Sequence, residues 1–334
     1  MKAIVAAAAL ALLAVKAYAA PAHVLRLATL APDGTPWARE MRTFVRNVEE
    51  STHGSVTIKM YFDGVAGDEE EVLRRIRSGQ LDGAIAGMLC EKLAPSMRVA
   101  DLPGMFQSRA EATAIMNALH ADFNAEAAKQ GFEMPATMGL GPDMFFTKRP
   151  VHSFAELRQQ RLFNWSIDEV TIAMSRAMGL TIVPLEVNQA LGALTSDHVD
   201  GVLATPSEAI SFQWLSSARY YVPLLANYGL ACMVMPSAIL NRLPPEHRAS
   251  LRSAAARMSD RLETVGRAEE AEFLSGKSKY QATLVPPSPA FRSEYFAAAQ
   301  AVRERLGVRF VPRPLLDRVL RMLADYRAEN PSSQ

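Results

Sequence analysis

The chain has 334 residues, with 36 Lys and Arg against 35 Asp and Glu, a formal net charge of +1 and two cysteines. This balance excludes the basic footprint of a nucleic-acid-binding protein and gives no strong electrostatic steering of charged partners. A chain above roughly 250–300 residues outgrows one hydrophobic core, so two domains are expected.

At the N-terminus, Lys2 precedes the apolar run IVAAAALALLAV and the small-residue site Ala17-Tyr18-Ala19, the order of a signal peptide cleaved after Ala19 or Ala20. The run is too short to span a bilayer and Lys16 ends it. No cysteine stands near the site for lipid attachment. The expected mature protein is soluble and periplasmic.

Residues 24–29 (VLRLAT) read as a strand, after which Thr35 caps and Pro36 opens a helix that carries Trp37, Met41, Phe44, Val45 and Val48 inward. Residues 56–62 form the next strand. Asp68 and Glu71 then make a capping box for a helix with Val72, Leu73 and Ile76 on its apolar stripe. The run Asp68-Glu69-Glu70-Glu71 reads as a solvated first turn whose carboxylates complement the helix dipole. Further elements are a helix from about 109 to 130, strands at 145–151, 161–165 and 228–235, and a capping box at Ser166 and Glu169. Pro245 opens a long helix with Leu251, Ala255, Met258, Leu262 and Val265 in heptad-like spacing. Some 30 residues at 1.5 Å each span roughly 45 Å, enough to lie along two lobes.

The most informative feature is a repeat. Residues 78–86 read SGQLDGAIA and residues 196–204 read SDHVDGVLA, each after a helical pattern and each turning at Asp-Gly into a short apolar run. Such runs suit buried parallel strands, so the chain reads as two related α/β lobes. Enzyme signatures are missing: there is no GxSxG, HExxH, P-loop or dinucleotide fingerprint, and His23, His53, His120, His152, His198 and His247 never pair at metal-ligand spacing. No catalytic residue, metal or cofactor is expected. Export permits a disulfide between Cys90 and Cys232, with two buried thiols the favoured reading.

The segments YFDGVAGDEEEVLRRIRSGQLDGAIAG, PSMRVADLPGMFQSRAEA, KRPVHSFAELRQQRLFNW and MGLTIVPLEVNQALGALTSDHVDGVLATP together resemble the substrate-binding proteins of tripartite ATP-independent periplasmic (TRAP) transporters. The resemblance covers nearly all of the mature chain. It implies a two-lobed, type II-like periplasmic-binding-protein fold of α/β class, with crossing hinge strands and a long helix spanning both lobes. Lobe I takes residues 20–145 plus about 232–260, and lobe II residues 146–231 plus about 261–334. The implied partners are a small-molecule ligand, the small and large integral-membrane permease subunits and an additional periplasmic protein. The chain is expected to act as a monomer.

Departures from the family pattern carry information of their own. The strand RQQRLFNW normally bears an Arg that binds the substrate carboxylate bidentately, and here Phe163 occupies its place. A second Arg commonly precedes the KRP segment, where this chain has Pro142 or Asp143, and the Asn often found after the VDG turn is replaced by Ala204 or Thr205. Arg161 is the neighbouring cation, but strand alternation sets it two residues further from the strand end. Trp37, Phe145, Phe163, Trp165, Phe212 and Trp214 are the candidate apolar contacts, since ligands of open α/β sheets sit at strand ends. Asn164, Asn188 and Thr205 are the candidate hydrogen-bonding groups. The expected function is capture of a small, largely apolar ligand in an interlobe cleft and its delivery to a TRAP permease. The alternatives are a periplasmic lipid-handling factor or enzyme on the same scaffold, and a carboxylate receptor that uses Arg161.

Overall fold

The computed structural model describes residues 22–276 and 280–330. The expected signal peptide lies outside the described residues. The first half runs β1 (His23–Ala28), α1 (Pro36–Ser51), β2 (Val56–Tyr61), α2 (Glu69–Arg77), β3 (Gly83–Ala86), α3 (Met88–Leu93), α4 (Arg109–Lys129), β4 (Phe132–Pro142) and β5 (Met144–Thr147). Next come α5 (Phe154–Gln159), β6 (Arg161–Trp165), α6 (Glu169–Ala177), β7 (Thr181–Leu185), α7 (Val187–Thr195), β8 (Gly201–Ala204), α8 (Pro206–Ser211) and β9 (Tyr220–Val222). The chain ends with β10 (Tyr228–Pro236), α9 (Ser237–Leu240), α10 (Pro245–Leu274), β11 (Thr283–Leu284), α11 (Pro289–Phe310) and α12 (Arg313–Glu329).

Two mixed sheets result, one ordered β2-β1-β3-β10-β4 and the other β11-β9-β5-β8-β6-β7. The repeat supplies the same strand to each. Leu27 pairs with Gly83 in the first sheet, and Leu162 pairs with Gly201 in the second, both in parallel register. The antiparallel neighbours come so close that a Cβ on Gly83 would sit 2.5 Å from the Val234 carbonyl oxygen, and one on Gly201 would sit 2.4 Å from that of Phe146. Only glycine fits either position.

An arginine fork locks each unit. The Arg26 Nε donates to Asp82 Oδ2 at 2.8 Å while one terminal nitrogen reaches the Gly79 carbonyl at 2.8 Å. Arg161 repeats the pattern on Asp200 Oδ2 at 2.9 Å and on the Asp197 carbonyl at 2.7 Å. The duplication was readable around the Asp-Gly turn; its other half is the Arg-Leu pair, Arg26-Leu27 within β1 and Arg161-Leu162 at the start of β6.

The chain crosses between sheets three times, twice at short junctions and once through α10, which carries it from β10 to β11. Asp143 alone separates β4 from β5, and residues 223–227 connect β9 to β10. The two short junctions are bonded to each other: the Asp143 amide donates to the Asn227 carbonyl at 3.0 Å, and the Ala226 amide donates to the Asp143 carbonyl at 3.0 Å. α10 runs beside them along both sheets. Ser259 donates to the Thr137 carbonyl and Glu263 accepts from the Gly139 amide, while further along Glu269 meets Ser207 and the Phe273 carbonyl accepts from Tyr221. α11 packs on α5 and α6, and α12 packs on α4.

Three local expectations are corrected. Glu69 is not in a solvated turn; it is buried and its carboxylate accepts from the Gly87 and Leu89 amides, at 2.9 and 2.7 Å. The cap of α6 is Asp168 rather than Ser166, whose amide is held by the Leu185 carbonyl at the strand end. Cys90 and Cys232 form a disulfide, joining α3 to β10. That bridge closes a loop with a sequence separation of 142 residues. Chain-entropy reasoning gives such a loop a contribution of roughly 2–5 kcal/mol. The Cys90→Ala/Cys232→Ala variant is therefore expected to unfold at lower denaturant than the oxidised protein, and coincident unfolding curves would refute the contribution.

Candidate ligand-binding cleft

The cleft lies where strand ends of both sheets converge on the chain crossing, around a cavity of about 160 Å³. β1 hands over to Thr29 and Leu30, and its repeat partner β6 ends in Asn164 and Trp165, so the duplicated unit aims matching positions at one space. Five aromatic side chains form the wall: Trp37, Phe163, Trp165, Phe212 and Trp214. Trp214 is their centre, edge-to-face with Phe163 at 5.5 Å and stacked on Phe212 at 5.1 Å between ring centroids. The indole N–H groups of Trp165 and Trp214 are buried without a hydrogen-bond partner.

Asn164 also lines the cavity, with its amide nitrogen donating to Asp168 Oδ2 at 3.1 Å. Asn188 stands apart, exposed at an outer cavity of about 330 Å³ that shares Leu30, Trp165, Val187 and Phe212 with the inner one. Three expected contacts are absent from both linings. Phe145 is fully buried against Tyr295, because alternation along β5 turns it to the opposite sheet face from Phe146. Thr205 is buried as the cap of α8, in a reciprocal box with Glu208. Arg161 is held at the far end of β6 by Asp200, which is a structural role and removes it as a carboxylate anchor.

Sequence reasoning missed the polar half of the site, which is acidic. Glu69, Asp101, Asp143, Asp168 and Glu208 line the inner cavity, Asp63, Asp68 and Glu186 line the outer one, and among the described residues neither lining contains Lys, Arg or His. Only Asp143 was visible beforehand, as an occupant of a place where the family carries Arg. The acids come from both sides: α2 and the 3-10 turn Pro95–Asp101 on one, the α6 and α8 N-termini on the other, and Asp143 at the crossing.

Burial raises the five inner acids. Glu69 is pushed up to about 7 by loss of water, against the pull of the Leu89 and Gly87 amides. Glu91, behind the wall, reaches about 8 through burial and then the charge of Asp168. Asp101 is raised well above the carboxylate range by burial and by Glu91, with which it shares a hydrogen bond. Asp143 is likewise raised by burial and by the charges of Glu208, Asp101 and Asp168. Asp168 and Glu208 rise through burial although backbone amides of Thr171 and Thr205 oppose the shift. Arg98 is the cation that offsets Glu91, Asp101 and Asp168, and it does not line the cavity. Among the described residues no group of His, Cys, Asp and Glu has the geometry of a metal site.

Two α/β lobes with a cleft at paired chain crossings define a solute-binding protein of the periplasmic-receptor class. A sequence model described as "Bacterial extracellular solute-binding protein, family 7" matches residues 27–307, and the chain belongs to that family, the substrate-binding proteins of TRAP transporters. A "Solute-binding protein" of Chromohalobacter salexigens is 26% identical over 229 residues, covering 67% of each chain. The fold matches a Bordetella pertussis extracytoplasmic solute receptor, DctP7, that binds pyroglutamic acid, with TM-score 0.81 and 19% identity over 90% of this chain and 99% of that one. It also matches a TRAP periplasmic solute-binding protein of Xanthobacter autotrophicus Py2 with bound β-D-galacturonate, with TM-score 0.80 and 18% identity over 90% of this chain and 99% of that one. These relatives are transport proteins.

The raised carboxyls set a pH dependence. Folded Glu91 holds its proton up to about 8, whereas its ordinary value is 4.5, so the folded state binds more protons across that window. Stability must fall as pH rises through it. The thermal midpoint is expected to drop between pH 5 and pH 8, and Glu91→Gln is expected to flatten the drop. A midpoint that climbs over this range, in parent and variant alike, would contradict the buried-acid description.

Proposed function

We propose that the protein is an exported periplasmic receptor that closes its two lobes on a compact ligand with a ring-sized apolar body and delivers it to a TRAP-type permease. The lobes are residues 20–145 with about 232–260, and residues 146–231 with about 261–334, and the hinge is the bonded pair of crossings at Asp143 and 223–227. The observation that carries the ligand class is the lining: five aromatic side chains and no Lys or Arg. A carboxylate buried there would lose its hydration with no cation in return, at a cost of several kcal/mol. Apolar area instead gains roughly 25 cal/mol per Å², so about 200 Å² contributes on the order of 5 kcal/mol.

Size limits the ligand further. An apolar cavity of about 150 Å³ accepts a benzene ring, and a cavity of about 160 Å³ therefore suits one ring and a short substituent rather than a lipid chain. This disfavours the lipid-handling alternative. The bound acids of the structural relatives, β-D-galacturonate and pyroglutamic acid, are carboxylates, and the lining here offers such groups no charged partner.

Mass spectrometry of the small molecule released on denaturing protein from its native host is expected to find a compound with one ring-sized apolar body. Release of a hexuronate or a C4 dicarboxylate would overturn the ligand class. In calorimetry with the released compound, Trp165→Ala is expected to weaken binding by about tenfold or more, ~1.4 kcal/mol, and Arg161→Ala to leave it unchanged. The reverse ranking would restore Arg161 as a ligand anchor.

A further inference from the structure

Two hydrogen-bond donors in the wall of the inner cavity have no acceptor. Trp214 is 3% exposed and Trp165 is half-buried, and the indole nitrogen of each is shut off from water without a hydrogen-bond partner. Both side chains line the cavity. Packing fixes the Trp214 ring, edge-to-face with Phe163 and stacked on Phe212, so its N–H is not free to swing toward an acceptor elsewhere. Trp165 ends β6, where its register against Leu185 of β7 holds its backbone. An indole N–H donates and never accepts. A donor taken out of water is costly to leave unmet, and native structures supply an acceptor in nearly every case. Where the protein supplies none, the occupant of the cavity is the remaining source.

The lining acids make no comparable demand. Glu69 has two amide donors, Asp168 has Asn164 and the Thr171 amide, Glu208 has Thr205, and Asp101 shares a hydrogen bond with Glu91. Asp143 is half-buried. None of these acids accepts from either indole, and with no Lys, Arg or His among the described lining residues an anionic ligand would find no charged partner. An uncharged oxygen meets both conditions, since it accepts from the indoles and brings no charge to be neutralised. A carbonyl oxygen suits best: it has two lone pairs and no hydrogen of its own that would need a further acceptor.

Resting on the reading of the cleft as a receptor site for a ring-sized ligand, we propose that this ligand is an uncharged ring compound bearing a carbonyl-type oxygen, a ketone, ester or lactone, which accepts from the indole N–H groups of Trp165 and Trp214. The aromatic wall thereby has two parts to play: its ring faces bury the apolar body, and its N–H edges select a ligand that carries an acceptor.

Three probes of nearly one shape separate these parts: acetophenone, ethylbenzene and benzoate, titrated into the full mature protein near neutral pH. Acetophenone is expected to bind at least about tenfold tighter than ethylbenzene, with benzoate undetected at about 1 mM. The chain has three tryptophans, so protein labelled with ¹⁵N-tryptophan gives three indole cross-peaks, which Trp165→Phe and Trp214→Phe assign. Acetophenone, with one oxygen, is expected to move the indole proton of Trp165 or Trp214 downfield, and ethylbenzene to move neither downfield. The variant carrying both substitutions keeps aromatic rings without the N–H groups and is expected to bind acetophenone and ethylbenzene within about twofold of each other. Equal affinity for the two in the parent protein, or an acetophenone complex in which neither indole proton moves downfield, overturns the indole-bound carbonyl while the ring-sized receptor reading stands; this measurement on the parent decides even if the double variant does not fold. A preference for acetophenone that survives in the folded double variant overturns it too. Benzoate as the tightest probe overturns the uncharged ligand and the exclusion of carboxylates together. Silence from all three up to about 1 mM overturns the ring-sized reading on which the carbonyl rests.

Discussion

A carboxyl group taken out of water must find a proton, a cation or a set of N–H donors, and the structure around the cleft is arranged by which of these each acid obtains. Glu69 takes the donor route: by holding the Gly87 and Leu89 amides it fixes the turn from β3 into α3, and with it one side of the cavity. Asp168 and Glu208 do the same for the first turns of α6 and α8. These three are load shared between fold and site, so the walls of the cleft are positioned by groups that also face it. Glu91 and Asp101 take the proton route, sharing a hydrogen bond. Asp143 has no such partner, and it is the residue where the two sheets join.

The internal duplication explains why the walls converge. In each lobe an Arg, Arg26 within β1 and Arg161 at the start of β6, grips the Asp of the Asp-Gly turn that begins the neighbouring strand, which fixes the parallel register of the two strands. Register then determines which side chains emerge at the far ends. In the first lobe these are Thr29 and Leu30; in the second they are Asn164 and Trp165. The second lobe therefore contributes the bulk and the first the space, and Phe163 stands where the first lobe has Ala28. Arg161 is the equivalent of Arg26, and both are spent on the same structural fork.

Much of the architecture was legible because it is local. The Arg161–Trp165 strand, the Thr35 cap and the long helix from Pro245 are written in alternation, cap chemistry and heptad spacing. β4 was not. Its sequence, FEMPATMGLGP, has two prolines and two glycines, the marks of a loop, yet it is the longest strand. It tolerates Pro135 because it lies at the edge of its sheet, its glycines give close passage to Tyr228 and Arg109, and Gly266 of α10 lets that helix approach the Leu140 carbonyl. In the site, the aromatic wall was readable from strand ends and motif position. The acids were not, because a buried carboxylate and a surface one are written with the same letters; only tertiary packing brings Asp101, Asp143 and Glu208 together from three distant segments.

The coincidence of hinge and site has a mechanical consequence. On the proposed closure, rotation of one lobe against the other is taken up at Asp143 and at 223–227, since α10 is hydrogen-bonded to both lobes. The Trp165 and Phe212 contacts then act at the rim, where a small rotation produces the largest displacement, and the apolar area they bury there is what holds the closed lobes together.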